Sequence, residues 1–487
     1  MNKIKYIVAT LAGMLTFSAC GDFEDTNIDP NNPSDPNAGY MFAYACKQVP
    51  NFTLSGTYDP WTQLYPQYIS ERKTIQRSTF LQSNYGTGSI YTNTLRNLEL
   101  IIKLNMDEAT KNESYVASFG DSNNQIAVCR TLKAFIYMHM TDALGMIPYS
   151  EALKGDEGNF NPKYDTQEFI YTDLDKELTE AYQQFDETGS LDATSDILYN
   201  GNIKYWKKLN ASIRMMMAIK LSDVAPEVGK ARFAKAYADG GMTDNAEMLA
   251  YKYLAESANE NPLYNNITVQ GREDFAPSKT LLDQLIAYND PRLEAYANPN
   301  SDGEYAGVPF GITNAELQQY TNTTAIFDDR YVQQNSPMVV ISPSHILLIE
   351  AEAALRGWIT EDPEKLYKEG IAASLAQYDL SDQFDDYYSQ PNVSLTGSVK
   401  EKIEKVAMQR WLANFMQDGI EAWSDWRRLN VPKIYPGPAS PAEHIPYRKV
   451  YDTPDYNTNK ENYQIVLDTQ GKDDENTRVW WDVADNN

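Results

Sequence analysis

Apolar residues return along this chain at steps of three and four, in one segment after another. Only an α-helix turns that spacing into a single buried face. Val128, Cys129, Leu132, Phe135, Ile136, His139 and Ala143 form one such stripe. Ile170, Leu174, Leu178, Ala181 and Phe185 form a second, opened by Asp165-Thr-Gln-Glu168, which has the form of a capping box. Trp206, Leu209, Ile213, Met216, Met217 and Leu221 make a third. Ser342-Pro343 reads as the N-cap and first residue of a helix running to about Arg356, stopped by Gly357. Asp362-Pro363-Glu364 starts the next, with Tyr367, Ile371, Leu375 and Tyr378 on one face. Met408, Leu412, Phe415, Met416, Ala422, Trp423 and Trp426 make the last long stripe. Short turns between helices, with small residues such as Ala351, Ala353 and Ala354 at the contact, are how tetratricopeptide-like pairs pack. No strict repeat of about 34 residues is visible, so such repeats would be degenerate and interrupted. The pattern predicts an all-α fold of degenerate tetratricopeptide-like helix pairs with a large irregular, loop-rich region. Two stretches, roughly 50–90 and 255–340, lack helical signal and hold Tyr, Asn, Gly and Pro. Insertions this long in a helical scaffold are usually functional surfaces.

The N-terminus sets an address. Lys3 and Lys5 precede an apolar run from Ile7 to Phe17 that is too short to span a bilayer, and small Ser18-Ala19 lead directly into Cys20. The arrangement predicts a bacterial lipoprotein, lipidated on Cys20; an ordinary cleaved signal peptide is the alternative. Several acyl chains hold a protein on a membrane far more firmly than one. The expected division is a signal peptide over 1–19, an acidic, proline-punctuated flexible tether over 20–39, and one domain over 40–487. Acidic residues just after Cys20 resemble an export signal to the outer cell surface.

The formal charge of −26 argues against nucleic acid as a partner and against an anionic membrane surface. Catalysis finds little support. The three histidines, His139, His345 and His444, are far apart, and His139 sits on an apolar helix face where a core role is expected. No GxSxG, HExxH, Walker or GxGxxG fingerprint occurs. With 68 acids, close carboxylate pairs arise by chance and do not by themselves make a glycosidase. Asp382, Asp385 and Asp386 lack EF-hand spacing and read as a solvated loop. No metal site or cofactor is expected. Cys46 and Cys129 could bridge in an oxidising compartment, but Cys129 lies on an apolar helix face, as a buried free thiol would.

Recognition is better supported. Tyrosine is the compositional outlier, at 34 residues against 16 Phe and 8 Trp. Tyr58, Trp61, Tyr65 and Tyr68 crowd one segment beside Asp59, Gln63 and Gln67, and Tyr85 and Tyr91 follow near Gly86 and Gly88. Aromatic faces stack on sugar rings while amides and carboxylates bind their hydroxyls. An equal alternative is that Trp61, Tyr65 and Tyr68, at spacings of four and three, form a core helix stripe. Tyr58, Trp61, Tyr65, Tyr85 and Tyr91 are the candidate ligand-binding residues, and replacing Trp61 should weaken binding without unfolding. Tyr264, Tyr288, Tyr296, Tyr305, Phe310 and Tyr320 form a second, scattered set.

Several blocks, in order, resemble the SusD/RagB-like outer-membrane lipoproteins. They are Thr141-Asp-Ala-Leu-Gly-Met-Ile-Pro-Tyr-Ser-Glu-Ala-Leu153, Tyr199-Asn-Gly through Trp206 to Arg214, Phe275–Lys279 with Asn289-Asp-Pro-Arg-Leu293, Glu350–Trp358, Gln409–Arg428 and Ile445-Pro-Tyr-Arg448. Met146 stands where Asp is common, and Ala143-Leu144 where an aromatic is usual. The blocks also read as scaffold: Gly145 and Pro148 suit a sharp helix exit, Trp206, Trp423 and Trp426 would anchor cores, and Arg427 and Arg428 could cap a helix end or pair with acids. The resemblance implies four tetratricopeptide-like pairs carrying an irregular ligand-binding half. It further implies a surface lipoprotein of the outer membrane that binds oligosaccharide or peptide nutrients without hydrolysing them. Such a protein delivers them to a SusC-like TonB-dependent transporter. The family's ligand residues follow no motif, so none is carried over. A surface glycoside hydrolase and a helical-repeat adaptor are the alternatives.

Overall fold

The computed structural model describes residues 37–57, 59–81, 84–320 and 322–483. Cys20, the signal segment, the tether up to residue 36, and Tyr58 lie outside the described residues. Among the described residues, twelve helices of nine residues or more follow in order: α1 Ala38–Lys47, α2 Arg96–Met106, α3 Ser122–Leu144, α4 Gln167–Gln184, α5 Ile203–Lys220, α6 Pro226–Asp239, α7 Lys279–Ala287, α8 Pro343–Leu355, α9 Pro363–Ala376, α10 Val399–Ala413, α11 Gly419–Leu429 and α12 Lys460–Gln470. None is long and apolar enough to cross a membrane.

Four consecutive pairs make the scaffold: α3 with α4, α5 with α6, α8 with α9, and α10 with α11. Their first members also pack in series, α3 on α5, α5 on α8 and α8 on α10, as stacked tetratricopeptide-like repeats do. Small residues let the pairs close up. A Cβ at Gly370 in α9 would press on Leu348 of α8, and one at Gly229 in α6 would press on the Ala218 carbonyl of α5. The irregular chain enters before the first pair and between the second and third. These two insertions are joined where Ile69–Glu71 runs antiparallel to Phe275–Pro277, and the first is also tied to the chain after the last pair, Asn84-Tyr85 lying parallel to Val450-Tyr451.

Several boundaries differ from the periodicity reading. The N-cap of α4 is Thr166, whose hydroxyl accepts from Phe169 N, while Asp165 accepts from Ser150 N at 2.7 Å. The cap is thus displaced by one residue, and no capping box forms because Phe169 stands where the returning Glu or Gln would be. Helix α7 lies inside a stretch expected to lack helix; Ser278 caps it through Leu281 N, and Leu281, Leu282 and Leu285 bury its face. The last stripe is two helices, not one, because Asp418 caps the N-terminus of α11 and Met416 takes φ 53° in the turn before it. Helix α1 takes in the last two residues assigned to the tether.

The family-like blocks form scaffold. Asp142 is fully buried and accepts from Tyr171 Oη (2.5 Å), Trp481 Nε1 (2.8 Å) and Lys220 Nζ (2.6 Å). Arg292 is clamped by Asp290 at 2.6 Å and donates to Ser374 Oγ and Gln409 Oε1. Glu352 accepts from Arg356, Arg410 and Arg428 with no exposed surface. Burial alone would raise its pKa; the three guanidiniums overcome that and hold it well below the usual carboxylate range. Arg427 lies over the Trp423 and Trp481 rings at 3.7 and 4.5 Å and donates to the Asp142 and Tyr447 carbonyls. Gly145, at φ 81°, closes α3 where a Cβ would collide with the Gln470 side chain, whose amide binds Leu144 O and Met146 N.

His139 is a core histidine: Nδ1 meets Phe135 O at 2.9 Å and Nε2 meets Asp418 at 2.6 Å. Burial lowers its pKa, but Asp418 outweighs that and raises it above the ordinary value. His139, Asp418 and Glu421 have metal-ligand spacing. Lys220 pairs with Glu421, however, and its ammonium is held against desolvation by Asp142 and Glu421, up to about 12. A cation therefore already balances these acids. Cys46 and Cys129 are free buried thiols. Asp382, Asp385 and Asp386 are exposed.

Candidate ligand-binding site

The first insertion includes the one-turn helix Trp61–Leu64. Thr62 and Gln63 fix this turn. Thr62 Oγ1 donates to Thr53 O at 2.8 Å; Gln63 Nε2 donates to Thr53 O and Gln417 O, and its Oε1 accepts from Met416 N. Gly419 is needed here, because a Cβ would collide with the Thr62 carbonyl. Further on, Gln67 donates to Tyr435 O and accepts from Thr280 Oγ1. The two glutamines expected to bind sugar hydroxyls are therefore spent inside the protein.

The aromatic segment divides by depth. Tyr65 and Tyr68 are core residues: Tyr68 donates to Trp411 O at 2.6 Å, and Tyr65 donates to Glu475 at 3.1 Å and packs edge-on against Trp423. Trp61 is also largely buried, edge-on to Tyr65, Tyr85 and Trp423 at centroid distances of 5.6, 5.1 and 6.1 Å. All three rings are thus core residues, though not as one helix stripe, since the helix ends at Leu64 and Gln67 takes φ 57° before Tyr68. This burial also revises the expectation for Trp61, since removing it must disturb packing. Beneath them Lys449 Nζ sits 5.1 Å from the Trp61 ring and 5.0 Å from that of Tyr65. Burial pushes this amine down to about 8 although Asp59 and Glu475 pull the other way.

Trp61 and Tyr85 nevertheless line one open cavity of about 340 Å³. Tyr85 is half-buried, placed by its ladder with Tyr451, and desolvation raises its phenol above the ordinary range. Asn51, Asp59, Asn84 and Asn93 bring polar groups to the wall, and Phe52 and exposed Tyr44 from α1 add two more rings. One side of the wall is a π-helical turn, Ile90–Leu95, that runs into α2. Such turns break the regular ladder and are frequent at functional sites. Tyr91, on the same turn, is elsewhere: its hydroxyl donates to Pro148 O at 2.5 Å and its ring meets Tyr137. Tyr44, Asn51 and Asn93 had no signal in the sequence as site residues. The second tyrosine set disperses, with Tyr296 in the core donating to Leu412 O.

A stacked helix-pair scaffold with an aromatic and amide-lined cavity on its irregular half defines a binding protein. The cavity lining holds one carboxylate, Asp59, whose Oδ1 lies 3.4 Å from Arg77 Nε. The family profile described as "Starch-binding associating with outer membrane", SusD-like, matches residues 30–452, and the chain belongs to that family. Solved structures agree. A chitin-binding protein is 26% identical, with a TM-score of 0.79 over 92% of this chain and 100% of its own. A SusD homologue from Bacteroides fragilis is 24% identical, TM-score 0.77, covering 91% and 99%. A chitin-binding SusD homologue from Flavobacterium johnsoniae is 22% identical, TM-score 0.76, covering 93% and 100%. Among curated proteins no sequence matches.

Proposed function

We propose that this protein is a surface lipoprotein of the outer membrane, anchored through Cys20, that captures oligosaccharides and passes them to a SusC-like TonB-dependent transporter. The observation that carries the reading is the cavity in which Tyr85 and Trp61 face Asn51, Asp59, Asn84 and Asn93. Tyr85 and Tyr44 offer ring faces for the C–H face of a sugar, and the amides and Asp59 offer hydrogen bonds to hydroxyls. Trp61 fixes Tyr85, and Tyr65 with Lys449 supports Trp61 from below. Tyr58 stays a candidate on its place in the sequence alone, three residues before Trp61.

Hydrolysis of a glycosidic bond ordinarily uses two carboxylates flanking it. The cavity has Asp59 alone among its lining residues, which favours capture without cleavage. The chitin bound by two of the relatives supports a carbohydrate rather than a peptide ligand.

Isothermal titration against a panel of oligosaccharides tests the reading. Tyr85→Ala is expected to weaken the best ligand at least about tenfold, the equivalent of ~1.4 kcal/mol, while the protein stays folded. Binding that ignores Tyr85→Ala removes the site from this cavity. Reducing sugar released from the bound ligand would mean an enzyme.

A further inference from the structure

A cavity of about 240 Å³ opens on the scaffold, where α2, α3 and α4 meet the segment that follows α3. It shares no lining residue with the cavity of Trp61 and Tyr85. Four cations and four acids line it, so its charge is balanced. Most of these groups are matched inside the protein. Lys133 pairs with Glu99 at 2.5 Å, Arg130 with Glu177 at 2.9 Å, and Lys103 with Asp156 at 3.4 Å and Glu157 at 3.9 Å.

Two charges are not matched. Lys154 Nζ donates to the Ser150 carbonyl at 3.0 Å and forms no ion pair among the described residues. Asp173 accepts from Tyr149 Oη at 2.8 Å, a neutral donor, and meets no cation among the described residues. Tyr137 supplies a third unfilled group. Its ring is 2% exposed and stands edge-on to that of Tyr149, with centroids 4.8 Å apart. Its hydroxyl has no hydrogen-bond partner among the described residues, yet it is not sealed as the unpaired Ser150 hydroxyl beside it is. Burial, with Glu99 nearby, pushes the phenol above its ordinary range, so it stays a donor. A hydroxyl so placed calls for a partner from the cavity.

The mixture of signs selects the ligand. A lone anion would face the carboxylates of the wall, and a lone cation would face its ammoniums and guanidinium. A neutral sugar would leave Lys154 and Asp173 as they are. We propose that this cavity binds a small zwitterion, a free α-amino acid. Its carboxylate takes the Lys154 ammonium and the Tyr137 hydroxyl. Its ammonium takes Asp173, which Tyr149 holds in place from a family-like block. The inference does not require the Trp61–Tyr85 cavity to be a ligand site.

Titration of the full chain with a panel of free L-α-amino acids tests it. The best binder is then compared with its N-acetyl and methyl-ester forms, which each lose one of its two charges. The free form is expected to bind at least about tenfold more tightly than either. Lys154→Met and Asp173→Asn should each weaken it at least about tenfold, and Tyr137→Phe about threefold. Should Asp173→Asn fail to fold because Tyr149 loses its acceptor, Lys154→Met decides, since that ammonium touches only a backbone carbonyl. No binding by any member of the panel, a blocked form that binds as tightly as the free one, or full affinity in Lys154→Met would each overturn the inference. So would binding lost in Tyr85→Ala and kept in Lys154→Met, because that places the amino acid in the first cavity.

Discussion

The helix pairs and the irregular half treat polar groups in opposite ways. In the pairs, charges are buried and closed on each other: Glu352 takes three arginines, Asp142 takes Lys220, Tyr171 and Trp481, and Arg292 takes Asp290. In the irregular half, the side-chain amides of Asn51, Asn84 and Asn93 line an open cavity beside aromatic rings. Satisfied buried networks specify one arrangement, whereas exposed polar groups around aromatic rings leave room for a ligand. The residues that identify the family are thus the ones least able to touch a ligand. Asp142, Arg292 and Glu352 all sit in family-like blocks, and all are sealed inside the scaffold.

That contrast can be broken from either side. The largest expected effect is on the scaffold. Glu352→Ala leaves buried Arg410 and Arg428 with Asp425 as their one shared carboxylate and should cost ~3 kcal/mol in urea unfolding. A loss below 1 kcal/mol would show that the network is not what holds the last two pairs together. Next is Trp61→Ala, at the seam of the two regions. It should cost about 3 kcal/mol through the cavity it leaves, and it should also weaken ligand binding, so the two readouts move together. Binding lost with full stability would return Trp61 to a pure contact role.

A pH test probes one unpaired charge within the scaffold. Burial, with Glu369 and Glu361 nearby, pushes Glu350 up to about 8. A folded pKa above the unfolded one means that stability is fully present below the unfolded carboxylate range and is lost as pH rises towards 8. Glu350→Gln should therefore change stability little near pH 4 and raise it at pH 9, on the order of 2 kcal/mol. Equal effects at both pH values would show that Glu350 is ionised throughout. The smallest effect on the fold is that of Tyr85→Ala, whose half-buried ring should cost no more than ~1 kcal/mol of stability while weakening binding.

The sequence made the helices legible because burial on one face imposes a period, and the four pairs follow that period closely. It misled where local chemistry competes with the period. The stripe from Met408 to Trp426 continues across a turn, since Phe415 and Met416 stay buried although the helix has stopped. Helix α7 was hidden by its short length. The candidate site was legible in part. Trp61 and Tyr85 meet in one cavity, but Tyr85 is placed by a strand from residues 450–451, a partner that no local pattern shows. Gln63 and Gln67 looked like sugar ligands because a sequence does not reveal which amides the backbone will consume. Tyr44 and Asn51 escaped notice because they carry no motif and reach the cavity only through the packing of α1.

The central claim is that the cavity of Tyr85 and Trp61 holds the oligosaccharide. A crystal structure of the protein with its best-binding oligosaccharide tests it directly. A sugar ring is expected against Tyr85, with hydroxyls within hydrogen-bond distance of Asn51, Asp59, Asn84 or Asn93. A sugar bound on the helix pairs, with this cavity empty, would contradict it.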